Sequence, residues 1–506
     1  MLHYTGHPIA DVGVATMAAF CDKPDPRTLT PDDLERIARF LEREYFSRKL
    51  VPYLSCVFPN AAYVQPGAQP GAKVAMRPET IAEFKRKVLF GFREPPDPGV
   101  EGLRCVFSGQ PASAIVYRQH VPMITGENVL NFFPAGLGGL PIAAPYLLAI
   151  QAFPLGARRC HGRALAVHSP DDNELTYAFA KQFLQENRRL LLLTEESDER
   201  YPDAKAPKTL IVHTLLEIER ERRARGESGQ APSLTAYHLT NSGQGPDIDI
   251  FHLPAEIVAF VRAAARAGTS HVWNAMQAAA WERPGDGGRP RGRSAQQHAA
   301  EVGAEAPRQP APGVSRNFLY EDLFELPHNA ARFIRTYFLR RSYRFARQGD
   351  PRREYRLARE LELVSWDLTE LFLNEVIGME KNRIEAIRTL GDRIASHIAA
   401  DNDRRFFQAL YRANAYWILR NLLIKASNAR LRKGEQPLIG FDEFLLIFEE
   451  GEELARVDWA LARDLVLIRV IEQLYREGWF GREPRAFEGL EDELEETDTA
   501  VHAPVG

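Results

Sequence analysis

Cysteine is scarce in this chain: Cys21, Cys56, Cys105 and Cys160 are the four in 506 residues, and no two form a CxxC pair. That excludes a disulfide framework and fits a reducing compartment, so a cytoplasmic location is expected. An excess of base is also missing. The 64 lysines and arginines against 68 acids leave a formal charge of −4, unlike a free-standing general DNA binder, although a local basic face remains compatible. There is no GxxxxGK[ST], HExxH or GxSxG and no paired-cysteine zinc pattern, which removes the commonest signatures of phosphate-loop, zinc-protease and serine-hydrolase chemistry. The opening MLHYTGHPIADVG has no basic run and carries Asp11 early, and does not read as a secretory signal.

A clean hydrophobic run is the next absence. From Asn128 to Ala157 there is no charged residue, and then Arg158, Arg159, Cys160 and His161 arrive together. The length suffices for a bilayer, but Pro134, Pro141, Pro145, Pro154 and Gln151 interrupt it, and irregular backbone facing lipid leaves polar groups unpaired. A buried strand or short helix is expected instead. Cys160–His161 lacks the further ligands that zinc needs and reads as a buried thiol beside a surface histidine.

What is present suggests more than one domain, since 506 residues exceed one ordinary core. Thr30-Pro31-Asp32-Asp33 spells a helix start, followed by the amphipathic LERIARFLEREYFSRKL. Residues 58–73, FPNAAYVQPGAQPGAK, read as an exposed loop. Residues 232–254 alternate around a glycine-rich turn and read as a β-hairpin. Residues 282–314 have almost no large apolar side chain and read as a flexible linker. Helical periodicity then runs through 316–480, and Glu488–Asp498 holds seven acids and no base. The expected fold class is α+β. A mixed N-terminal domain (1–281) is followed by a linker (282–315), an all-α bundle (316–487) and an acidic tail (488–506).

Within the helical part, Arg332 to Arg359 holds ten arginines against Asp350 and Glu354, with Phe333, Tyr337, Phe338, Tyr343, Phe345 and Tyr355 interleaved. Helical spacing would put Arg340, Arg344 and Arg347 on one face, and arginine suits bidentate phosphate contact and base stacking. The residues alone leave two readings open, a nucleic-acid surface or a solvated face paired within the chain. His238, Asn241 and His252 form an H…N…H series that superficially suggests a metal-dependent nuclease, but such a nuclease also needs a helix carrying a further ligand, and ordinary hairpin polar residues are the better reading.

Taken together, YTGHPIADVGVATMAAF, LERIARFLEREYF, FPNAAY, the hairpin YHLTNSGQ and the closing IGFDEFLLIFEEGEELARVDWALARDLVLIRVIEQL resemble the large subunit of a type I-B CRISPR interference complex, Cascade. This is the Cas-eight family, in its CXXC–CXXC branch. In that family two cysteine pairs resemble a zinc knuckle. Here the first pair reads Cys105-Val106-Phe107-Ser108, and the second becomes Ala143-Ala144-Pro145-Tyr146 within GGLPIAAPYLLAIQ. The resemblance therefore implies a degenerate knuckle, no zinc and a segment held by apolar burial.

It also implies a non-catalytic role in antiviral defence: reading the protospacer-adjacent motif (PAM) in duplex DNA, helping to unwind it, and stabilising the R-loop and displaced strand. The implied partners are crRNA and target DNA, the Cascade backbone and crRNA 5′-end subunits, a small subunit and the Cas-three helicase–nuclease, with no membrane. Arg335, Arg340, Arg341, Arg344, Arg347, Arg352 and Arg353 would contact the DNA backbone. Asn60, Tyr63, Gln65, Gln69, Lys73, Asn131, Asn241 and Gln244 are the candidates for PAM contact, because amides pair with adenine edges and lysine with guanine. Relatives can express the C-terminal part separately, and Met379 would begin such a piece. A metal-dependent nuclease and a scaffold without nucleic-acid contact are the alternative functions.

Overall fold

A helix with almost no polar face organises the N-terminal unit of the computed structural model, which describes residues 1–124, 138–197, 201–227, 229–241, 245–266, 268–283, 315–450 and 454–490. This is α1 (Pro8–Phe20), buried continuously from Ala10 to Ala18, as a helix apolar all round must be. Its one acid, Asp11, turns back to hold the preceding loop. The carboxylate accepts from the Thr5 N–H at 2.6 Å, the Gly6 N–H at 2.8 Å and the Thr5 hydroxyl at 2.8 Å, and meets His168 Nε2 at 3.2 Å. Burial pushes its pKa up, but the hydrogen bonds from His168 and Thr5 prevail and the net shift is downward.

The capped start at Thr30 leads into α2 (Pro31–Tyr45), where the Thr30 hydroxyl and the Asp33 carboxylate reciprocally bond each other's backbone N–H. α3 (Val51–Val57) and α4 (Pro78–Val88) follow, then a short ladder of β1 (Ala114–Val116) with β2 (Leu140–Ile142). The uncharged segment becomes α5 (Ala144–Ala152) and a 3₁₀ turn, Phe153–Gly156, nearly all of it buried. Among the described residues no helix is long and apolar enough to cross a membrane. α5 packs on α1 so closely that a Cβ at Gly13 would collide with the Ala149 carbonyl.

The main sheet is antiparallel and four-stranded, in the order β3 (Arg158–Cys160), β4 (Arg163–His168), β5 (Leu234–Thr240), β6 (Asp247–Leu253). His161 and Gly162, with φ of 48° and 70°, make the two-residue turn between β3 and β4. α6 (Asn173–Ser197) and α7 (Pro207–Ala224) intervene before β5. The expected hairpin over 232–254 is β5–β6. β6 is an edge strand, exposed along most of its length.

His120 is one group through which this unit senses acid. It is 7 % exposed, its Nδ1 accepts the Tyr117 N–H at 3.2 Å, and its ring stacks on Phe84. Burial first, and the charge of Lys87 second, lower its pKa to about 4. The unfolded chain therefore binds more protons between about pH 6.5 and 4, so the contribution is intact above 6.5 and is lost as pH falls towards 4. Urea titrations at pH 7 and pH 4.5 are expected to show that His120→Gln removes roughly 2–3 kcal/mol of the stability loss between the two.

The division between the compact units falls inside α8 (Ala255–Ala264), after Val258, with Ser315 and Arg316 rejoining the first unit. This corrects the expected boundary at 281. The remainder of α8 and α9 (Ser270–Ala279) belong with the helical unit, where Phe260 packs edge-on to Trp273 and Phe372. That unit continues with α10 (Phe318–Leu323), α11 (Ala330–Phe333), α12 (Trp366–Phe372), α13 (Lys381–Asp401), α14 (Arg404–Arg412), α15 (Tyr416–Arg432), α16 (Phe441–Phe448), α17 (Trp459–Arg476) and α18 (Trp479–Arg482). It is not purely helical: Glu449–Glu450 and Leu454–Ala455 form a small antiparallel ladder, β7–β8. Met379 sits half-buried between a π-helical turn and α13. Most of the expected linker, residues 284–314, and the tail from 491 on lie outside the described residues.

Candidate nucleic-acid interface

The arginine-rich segment does not form one helical face. α11 ends at Phe333, a π-helical turn covers Ile334–Phe338, and Arg340 leaves the helix with φ of 50°. Asp350–Pro351 then starts a separate 3₁₀ turn, since the residue before proline is pushed out of the helical region. Most of its aromatics are core: Phe333 stacks on Phe372 at 5.2 Å, and Tyr337, Phe338 and Tyr355 are buried, whereas Phe345 is 65 % exposed.

Four of the seven arginines expected on the DNA are drawn into the protein. Arg340 is fully buried, pairs with Glu360 at 2.6 Å and lies 3.5 Å over the Tyr355 ring. Arg352 is 8 % exposed, pairs with Asp350 at 2.7 Å and stacks on Phe318 and Tyr343. Burial lowers its pKa, but the hydrogen bond to Asp350 and the neighbouring negative charges outweigh that and keep it raised. Arg335 and Arg341 converge on Asp464 at 2.6 and 3.7 Å. Asp464 is completely buried and is also held by its neighbour Arg463 at 2.6 Å. Burial pushes the Asp464 carboxyl upward, but Arg463, Arg341 and Arg335 together hold it far below the usual range. Arg344, Arg347 and Arg353 are exposed.

The candidates for PAM contact are mostly tied down as well. Tyr63 is buried, its hydroxyl donating to Gln151 Oε1 at 2.8 Å, while Gln65 donates to the Pro59 carbonyl at 3.1 Å and Gln69 to the Tyr63 carbonyl. Asn241 is 2 % exposed, and its N–H donates to the Cys56 carbonyl at 2.6 Å. Its side-chain amide has no hydrogen-bond partner among the described residues. Asn60 and Lys73 are exposed, and the Asn60 carbonyl oxygen faces the Arg118 guanidinium at 2.6 and 3.2 Å. Asn131 and Gln244 lie outside the described residues.

The H…N…H series is pulled apart. His238 lies opposite Asp249 and His252 opposite Thr235, and an odd separation of rungs sends the two rings to opposite faces of the sheet. His238 Nε2 meets the Cys160 carbonyl at 2.8 Å, and His252 bonds Thr235 Oγ1 at 3.0 Å. One metal cannot bridge them.

The two knuckle-like segments, by contrast, do meet. The β1–β2 ladder brings them together, and the Val106 N–H donates to the Pro141 carbonyl at 3.1 Å. Burial raises the Tyr146 pKa to about 12, opposed by the His3 N–H that donates to its hydroxyl at 3.1 Å. The Tyr146 hydroxyl also meets His3 Nδ1 at 3.0 Å. One thiol, one hydroxyl, one phenol and Ala143 do not make a tetrahedral nitrogen–sulfur set, so the donors at these positions do not fit zinc. Among the described residues no group of three or more His, Cys, Asp or Glu is placed to hold a metal.

A different basic surface emerges on α14 and α15. From Arg404 to Gly434 there are eight bases and no acid. Arg405, Lys425 and Arg432 are exposed and make no ion pair among the described residues. Arg420, Arg430 and Lys433 do pair, with Glu449, Glu435 and Asp401 at 3.6, 3.2 and 3.0 Å. Trp417, Ile424 and Leu431, spaced seven apart, form an exposed stripe along α15, with Trp417 65 % exposed. The arrangement offers phosphate contact beside a stacking indole. The absence of acid over 31 residues was the sequence signal for it; the denser arginines upstream outshone it. No protein-family model, curated protein or solved structure matches this chain.

Proposed function

We propose that the chain is the non-catalytic large subunit of a type I-B CRISPR Cascade complex, contacting DNA through the basic surface of α14 and α15. That surface is the observation that carries the reading. Exposed unpaired bases beside an outward indole suit a polyanion with accessible bases, and binding there would be salt-dependent and blind to sequence. The meeting of the Cys105–Ser108 and Ala143–Tyr146 segments supports the family resemblance, because two segments that once shared a zinc would have to be neighbours. The nuclease alternative loses its proposed ligands to opposite sheet faces, and a scaffold without nucleic-acid contact has no use for the basic surface.

In this reading base pairing with crRNA supplies sequence specificity, and the N-terminal unit reads the flanking PAM. Asn60, beside Arg118, and Lys73 remain the exposed side chains through which it would do so. The test is binding of duplexes that share one protospacer and differ in randomised flanking bases, to the crRNA-loaded complex with and without this chain. Flank preference that appears with the chain is the expected result. Identical flank preference in both assemblies would discard the reading.

A further inference from the structure

The α14–α15 surface has a candidate competitor in its own chain. The described chain ends against α14: Arg412 Nη2 donates to the Gly489 carbonyl at 3.1 Å, Gln408 Nε2 to the Ala486 carbonyl at 3.2 Å, and Leu490 is fully buried. Directly after Leu490 the sequence reads EDELEETD, six acids and no base, adjoining Glu488. The most acidic segment of the protein therefore follows directly on residues that pack against α14.

We propose that this acidic segment, Glu488–Asp498, binds the basic surface of α14 and α15 and competes there with polyanions. The proposal rests on the reading of that surface as a polyanion site and adds how the site would be regulated. The charges are complementary: the segment carries seven acids, and the surface offers Arg405, Lys425 and Arg432, exposed and without an ion pair among the described residues. Reach matches as well. Eight extended residues cover up to about 28 Å, and the 17 residues of α15 span about 26 Å. Tethering supplies the rest, since a short connection holds a linked ligand at roughly millimolar effective concentration. An intrinsic dissociation constant of about 0.1 mM would then weaken a competing polyanion about tenfold. Such a competitor would admit only ligands that present many phosphates at once and would exclude short or casual ones.

The experiment uses the full chain with Glu491→Gln, Asp492→Asn, Glu493→Gln, Glu495→Gln, Glu496→Gln and Asp498→Asn. The first measurement is fluorescence anisotropy of a labelled peptide of residues 488–500 added to this neutralised chain. The second is the affinity of a labelled 20-mer of deoxythymidine for the natural and neutralised chains. Saturable peptide binding that salt and Arg405→Glu with Lys425→Glu both weaken is expected, together with about tenfold tighter oligonucleotide binding after neutralisation. If the peptide does not bind the neutralised chain above a glutamine-substituted control peptide, the proposal is wrong. Peptide binding without oligonucleotide binding to either chain would uphold the acidic ligand and remove the nucleic-acid reading. Equal oligonucleotide binding by both chains, with no peptide binding, would do the reverse.

Discussion

Replacing Asp464 by asparagine is expected to destabilise the helical unit by about 3–5 kcal/mol, the usual cost of stripping the partner from a buried ion pair. The shape barely changes, so packing is not the cause. Three guanidinium groups, from Arg335, Arg341 and Arg463, converge on this one buried carboxylate, and without its charge they repel one another in a medium that screens poorly. Removing one arginine instead, as in Arg341→Met, should cost much less, because the two closer partners still neutralise the acid. Urea denaturation followed by far-ultraviolet circular dichroism checks both, the midpoint moving with little change of slope. The pH dependence has a fixed sign. The folded pKa of Asp464 lies below its unfolded value, so the stabilisation is fully present above about pH 4 and disappears in stronger acid. In that range the natural protein should approach the asparagine variant. Equal losses for Asp464→Asn and Arg341→Met would contradict this account.

Reversing Arg405, Lys425 and Arg432 to glutamate should cut the affinity of the crRNA-loaded complex for its DNA by roughly a hundredfold at low salt, at about 1 kcal/mol for each lost contact. The slope of log affinity against log salt should become shallower by about three. Stability should stay within about 0.5 kcal/mol, because none of the three bases pairs within the described residues. Arg340→Glu makes the opposite case. Its side chain is fully buried against Glu360 and Tyr355, so reversal should damage folding before it touches binding. Parallel melts and gel-shift titrations separate the two. A triple variant that binds like the natural protein would move the interface elsewhere.

That contrast shows how far the sequence could be read. Local signals came through: Thr30 does cap a helix, residues 232–254 do form a hairpin, and the uncharged stretch near α5 is core. These depend on neighbours in the chain. The destination of Arg332–Arg359 did not come through, because Asp322 and Asp464 reach it from other elements, and a charge run does not reveal whether its partners are water or its own fold. β3 and β4 were missed for a related reason. They are short, one begins with two arginines, and their pairing is set by a turn of two left-handed residues rather than by alternation. At α14–α15 the informative feature was a missing residue type, acid, spread too thinly to register as a cluster.

The outermost strand, β6, also bears on how the protein behaves in a crowded solution. Asp247 and Asp249 point to one side of it, beside Arg163, while Ile248 and Ile250 stand exposed on the other. An open edge of this length could recruit a second copy strand to strand. In an antiparallel match of two such edges, aspartates would face aspartates across the seam. The same alternation that leaves two isoleucines in water thus limits sheet growth through the charges that sit beside them.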